Sequence, residues 1–159
     1  FASGGRRRVE AEEARIEDIK DQGDCFLFHM RRSKTNKTGQ SEAKPVTGAA
    51  AKLLRMWLDV LGEKEGPLFR PVTKKGSIKP VPLKGAFISR IIKKLAERAG
   101  YDPKEFSAHS LRSGFVSQAA REGCSMPEVK ALTGHKTDAM VSRYYQQGDV
   151  LRSRAGNLL

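Results

Sequence analysis

Residues 108–115 read AHSLRSGF, and the segments LTGHKT (132–137) and VSRYYQQG (141–148) follow it closely. The first stretch opens a helix read from Ser110 to Glu122. Its apolar positions Leu111, Phe115, Val116 and Ala119 recur at helical spacing, and Gly123 supplies the stop. His109 and Arg112 stand three residues apart, so they project from one face where that helix begins. Free N–H groups at a helix start suit phosphate, and an arginine can hold two phosphate oxygens at once. Taken alone, His-x-x-Arg is a weak signal, because an ordinary cap with a surface contact uses the same residues.

Working outward, His135 follows Gly134 in a turn, where a histidine is usually structural. Tyr144 and Tyr145 sit beside the helical stripe of Met140 and Val141, which by default makes one or both of them core. Each bland reading is comfortable separately. Their conjunction with the charge of the chain shifts the weight: 30 Lys and Arg against 18 Asp and Glu give a net charge of +12 over 159 residues. That excess favours a polyanionic partner, nucleic acid first and an anionic membrane second. The basic residues lie in separate segments, GRRR (5–8), RRSKTNK (31–37), TKK (73–75) and KK (93–94), not in one tail-like block.

The length fits one domain with a single core. No run approaches the ~18 apolar residues of a membrane-crossing helix, and no signal-peptide pattern is present, so a cytoplasmic location is expected. Cys25 and Cys124 are too few and too far apart for a disulfide framework or a zinc pattern, and both read as buried free thiols.

The charged run near the start predicts a helix from about Arg7. CFLFHMRRSKTNKTGQSEAKPV predicts a strand from Cys25 to Arg31, a turn with Asn36 and Gly39, and a returning strand ending near Val46. Thr47 can cap a helix carrying Leu53, Leu54, Trp57, Leu58 and Leu61. A second stripe, Phe87, Ile88, Ile91, Ile92 and Leu95, ends at Gly100. Both stripes are expected in the core. Ser125 and Glu128 form a capping-box pattern with Pro127 in the first turn, DAMVSRYY continues as helix, and DVLRSRAGNLL can form a tail helix. The class is α+β, mainly α, with a small antiparallel sheet.

Metal-assisted hydrolysis fits poorly, because the acidic residues are scattered and form no two-metal pattern. A phosphate-directed enzyme working without a metal needs Arg, Lys and His at the transferring phosphoryl oxygens. A tyrosine hydroxyl can then act as the covalent nucleophile, conserving phosphodiester energy in a phosphotyrosine bond.

At this point the sequence resembles the tyrosine recombinases of the phage integrase type. SGGRRRVEAEEARIEDI resembles the segment of the first catalytic arginine, MRRSKTNKTGQ the lysine-bearing hairpin, and HSLRSGF the His-x-x-Arg box. LTGHKT resembles the second histidine's segment, SRYY the nucleophile's, and QQGDVLRSRAGNLL the tail that follows it. The resemblance implies a catalytic domain over residues 1–159, with the family's N-terminal DNA-clamping domain and the first helix of its catalytic domain absent from this chain. It implies Arg7 as the first arginine, with Arg6 and Arg8 competing, Lys34 as the hairpin lysine, with Lys37 competing, and His109, Arg112 and His135. It implies Tyr144 as nucleophile, nine residues after His135. Arg31, Arg32, Lys37, Lys74 and Lys75 become DNA contacts. Implied also are double-stranded DNA as partner, a tetramer on DNA, and no metal or nucleotide cofactor. The chain departs from the pattern at Glu12 and Glu13, where the family is apolar, and at Gly5-Arg6, where an apolar residue commonly follows the glycine. Two rival readings stay open: a non-catalytic DNA-binding or architectural module, and a type IB topoisomerase.

Overall fold

The computed structural model describes residues 4–30 and 43–149. Helix α1 (Arg8–Glu13) is followed by a 3-10 turn and three short strands, β1 (Ile19–Asp21), β2 (Phe26–His29) and β3 (Ala43–Val46). Five helices complete the order: α2 (Gly48–Leu61), α3 (Gly85–Arg98), α4 (Ala108–Arg121), α5 (Met126–Thr133) and α6 (Ala139–Asp149). The α+β, mainly helical class expected from the sequence is the one observed.

The strands form one antiparallel sheet in the order β1-β2-β3. Phe26 and Phe28 alternate inward along β2, as period-two patterning requires. The sequence reading missed β1. Its three residues, IKD, carry no apolar alternation, and it pairs because the chain reverses tightly at Gly23, whose N–H donates to the Asp21 carboxylate at 2.9 Å. The residues between β2 and β3 that include Arg31, Arg32, Lys34 and Lys37 lie outside the described residues.

Ala14, Ile16, Phe28 and Leu68 form one core, against which Leu54, Trp57, Leu58 and Leu61 of α2 pack. The Trp57 indole N–H donates to the Leu68 carbonyl at 2.7 Å. Ile88 and Ile92 of α3 pack on Ala108 and Leu111, and a third cluster joins Val116 and Ala119 of α4 to Val129 and Val141.

The expectation that both stripes are core needs correcting. Leu53 is 65% exposed, Phe87 45%, Ile91 47% and Leu95 56%. Leu53, Ile91 and Leu95, with Phe28, Trp57 and Ile88, line an open apolar cleft of about 450 Å³ between α2, α3 and the sheet. Helical spacing reports that a face is apolar; it does not report whether a neighbour covers it. Cys25 and Cys124 are free, as expected, but half-buried rather than buried. Helix α4 begins two residues earlier than predicted, because Ser107 and Ser110 cap each other reciprocally at 2.7 and 3.1 Å.

Candidate active site

The site is built around the C-terminal end of α5. That helix starts on the predicted capping box: the Ser125 N–H donates to the Glu128 carboxylate at 2.6 Å, and the Glu128 N–H donates to Ser125 Oγ at 3.4 Å. It ends on Gly134, which adopts φ 69° and donates its N–H to the Lys130 carbonyl at 2.7 Å. A helix end leaves its last carbonyls without intrahelical partners and carries the negative pole of the helix dipole. Here cations from distant parts of the chain take those carbonyls.

Lys44 Nζ donates to the carbonyls of Ala131 and Leu132, each at 3.0 Å. Arg6 Nη1 donates to Leu132 at 3.3 Å, and its Nη2 to Pro45 at 3.4 Å. Arg112 Nη2 donates to Thr133 at 2.7 Å, and its Nη1 to Gly5. Arg7 Nη2 donates to Gly134 at 3.1 Å. Lys44, Arg6 and Arg112 are buried, at 3%, 7% and 6% exposure. The Arg7 side chain keeps 32%, which makes it the member of the Arg6–Arg8 run that both faces the turn and reaches solvent. Glu10, itself buried, aims it by accepting from the Arg7 N–H and from Nη1, both at 2.8 Å. Gly5 permits the close approach of this segment: a Cβ there would lie 3.0 Å from Phe115 and from Thr133 Cγ2, and its φ of 57° is left-handed.

His135 follows the same turn. Its Nδ1 stands 2.7 Å from Thr133 Oγ1, which donates to the Val129 carbonyl at 2.8 Å. A hydroxyl has one proton, so Thr133 accepts from Nδ1–H, and the ring is assigned the Nδ1–H tautomer. Nε2 then accepts from Arg112 Nη2 at 3.1 Å. Burial, followed by the charges of Arg112, Arg7, His109 and Lys44, pushes the imidazole down to about 4. Burial and the neighbouring Arg7 likewise bring Arg112 down to about 10, so it stays charged at neutral pH.

Helix α6 lies along α4. Ser117 Oγ donates to the Tyr144 carbonyl at 2.9 Å, and the Tyr145 hydroxyl donates to the Cys124 carbonyl at 2.8 Å. The Tyr144 ring stands edge-on to His109, with centroids 6.3 Å apart. The hydroxyl of Tyr145 is therefore engaged in packing, whereas that of Tyr144 has no hydrogen bond among the described residues.

Of the residues singled out in the sequence, Arg7, Arg112 and His135 converge on the Thr133–Gly134 turn, and His109 pairs with Tyr144. His109 is exposed and Arg112 buried, so the two do not share one open face as their spacing suggested. Lys74 and Lys75 sit apart, on the exposed tip of a turn closed by the Val72–Ile78 bridge. Arg31, Arg32, Lys34 and Lys37 are outside the described residues. Sequence reading missed Thr133 and Lys44. A signal for Lys44 existed in the sheet register: it pairs directly with the inward Phe28, and opposite residues share a face.

A model of the phage integrase family matches residues 1–149. The chain is 32% identical to an integrase/recombinase xerD homolog of Selenomonas ruminantium, over 98% of this chain and 47% of the relative. It is 29% identical to the recombinase cre of Escherichia phage P1, over 90% of this chain and 46% of the relative. It thus spans about half the length of these curated relatives. Among solved structures, XerA recombinase superposes over 99% of this chain and 54% of that one, with TM-score 0.75 and 21% identity. The XerH site-specific recombinase in a post-cleavage complex with palindromic difH substrate superposes over 98% of this chain and 42% of that one, with TM-score 0.72 and 21% identity.

Proposed function

The chain belongs to the phage integrase family, and from that premise we propose that it is the catalytic domain of a site-specific DNA recombinase acting through a 3′-phosphotyrosine intermediate. The observation that carries this reading is the convergence of Arg7, Arg112 and His135 on one turn, beside a helix pair that presents Tyr144 against His109.

In this reading the Tyr144 oxygen attacks the scissile phosphorus while the bond to the 5′ oxygen breaks. The products are a 3′-phosphotyrosine and a free 5′-hydroxyl. A phenol keeps its proton near neutrality unless a base takes it, and His109 is the group beside Tyr144. Arg7 and Arg112 meet the charge that gathers on the non-bridging oxygens. Their carbonyl partners hold them in place beforehand, so little reorganisation is needed at the moment of reaction. A phosphate oxygen arriving at the turn takes over Arg112 donors now shared with His135, and its negative charge offsets the repulsion that keeps the imidazole neutral. Lys34 protonates the leaving 5′ oxygen. Arg31, Arg32, Lys37, Lys74 and Lys75 contact the duplex, the assembly on DNA is a homotetramer, and the work is done in the cytoplasm. No helix among the described residues is long and apolar enough to cross a membrane.

The test is mass spectrometry of the covalent adduct on nicked duplex DNA, in excess chelator. The expected result is an adduct on Tyr144 that is lost in Tyr144→Phe while DNA binding survives. Activity that vanishes in chelator and returns with magnesium would overturn the mechanism.

A further inference from the structure

We propose that Lys44 is a positioning residue of the cleavage reaction: from the buried face of the edge strand β3 it fixes the end of α5, so that the Thr133 and Gly134 carbonyls hold Arg112 and Arg7 in register with His135. This rests on the recombinase reading above.

The argument starts from burial. Lysine is almost never fully buried unless its charge is compensated, yet Lys44 is 3% exposed. Its Nζ donates at 3.0 Å to two successive carbonyls, Ala131 and Leu132. Those are helix-end acceptors at the negative pole of α5, where a cation is favoured. The same ammonium lies 3.1 Å from where a Cβ on Gly134 would stand, so it abuts the turn that carries His135. Arg6 shares the Leu132 carbonyl and also binds Pro45, the residue after Lys44, which closes the sheet onto the helix end.

The division of labour follows. Lys44 and Arg6 hold the first two free carbonyls and are too buried to reach DNA. Arg112 and Arg7 hold the next two, on the side where Arg7 opens to solvent. Without an anchored helix end, four cations within one turn would separate under their own repulsion. Anchored, they are gathered before any phosphate arrives. The electrostatic surroundings of His135 are Arg112 and His109 from α4, Arg7 from the start of α1 and Lys44 from β3, with Glu10 opposing them through the arginines.

Lys44→Met removes the charge and the donors while keeping the length. Three measurements on the full chain decide the question. The salt dependence of DNA binding should be unchanged, because a buried lysine neutralises no phosphate; a lysine that did so would lower the slope by about 0.9. Single-turnover cleavage at saturating DNA should slow about 10-fold or more, as expected when reacting groups lose register. The His135 imidazole, followed by NMR among only three histidines, should titrate several tenths of a unit higher, since both the lost charge and the loosened turn act in that direction. A folded variant whose His135 titration is unmoved would reduce Lys44 to a bulk stabiliser and overturn the proposal, as would a lowered salt slope. Should Lys44→Met fail to fold, Lys44→Gln keeps an N–H donor for the carbonyls and carries the same measurements. A wild-type chain that cleaves no DNA would sink the recombinase reading alone, because the titration of His135 is read without DNA.

Discussion

The imidazole of His135 and the guanidinium of Arg112 meet at 3.1 Å with the ring as acceptor. That arrangement holds only while the ring is neutral, since a protonated ring has no lone pair to offer. It makes the site itself sensitive to acid.

Stability should therefore fall in mild acid. The folded ring titrates near 4 and an unfolded one near 6.5, so between those values the unfolded chain binds the extra proton. The contribution is present above about pH 6.5 and is lost as pH falls towards 4. The slope is at most about 1.4 kcal/mol per pH unit, and smaller for a partly exposed ring. Urea unfolding across this window should show the loss in wild type and a flatter profile in His135→Gln. Parallel profiles would mean that the ring is not held neutral by its surroundings.

Glu10 holds Arg7 by two bonds from a buried position. Glu10→Gln keeps the shape but removes the charge that opposes three arginines. The expected cost is about 1.5–3 kcal/mol, the range for hydrogen bonds to charged groups. It should be read as a lower urea midpoint with the slope unchanged, accompanied by slower cleavage. Unaltered cleavage would show that Arg7 needs no aiming.

Tyr145→Phe loses the hydroxyl bond to the Cys124 carbonyl. A destabilisation of about 1 kcal/mol is expected, with adduct still forming on Tyr144. An adduct mapped to Tyr145 in wild type would shift the nucleophile by one residue.

Lys34→Ala should be severely slow on ordinary DNA and nearly restored when the bridging 5′ oxygen is replaced by sulfur, because a thiolate leaves without a proton. Equal slowing on both substrates would make Lys34 a phosphate contact. Rescue of Lys37→Ala in its place would move the acid along the hairpin.

Much of this architecture could be read in the sequence, for physical reasons that also explain the failures. The capping box at Ser125 and the turn at Gly134 are local chemistry; the box appears where expected, and the turn ends α5. The packing partner of Leu53 or Ile91 is not local, so the stripes of α2 and α3 gave apolarity without coverage. The resemblance placed the nucleophile on Tyr144, nine residues after His135; among the described residues the Tyr144 hydroxyl has no hydrogen bond, whereas that of Tyr145 donates to the Cys124 carbonyl. Arg112 was expected at an accessible helix start and instead points inward, because its partners are the carbonyls of Gly5 and Thr133, which no spacing within α4 reveals. Lys44 was overlooked as one lysine among many; its burial follows only once Phe28 is known to be its cross-strand neighbour.

If the chain is the recombinase proposed above, the gathering of cations at one helix end also bears on when it becomes dangerous to a genome. Arg7 reaches its carbonyl across 127 positions of chain and Lys44 across 88, and Tyr144 is translated after both acceptors. A ribosome must therefore deliver nearly the whole domain before Arg7 and Lys44 reach the helix-end carbonyls that seat them. Prematurely terminated products lack the scaffold along with the tyrosine, and long-range closure of this kind comes late in folding. On the recombinase reading proposed above, the capacity to break a strand is thus withheld from every partial product of synthesis, with the completed fold acting as its safety catch.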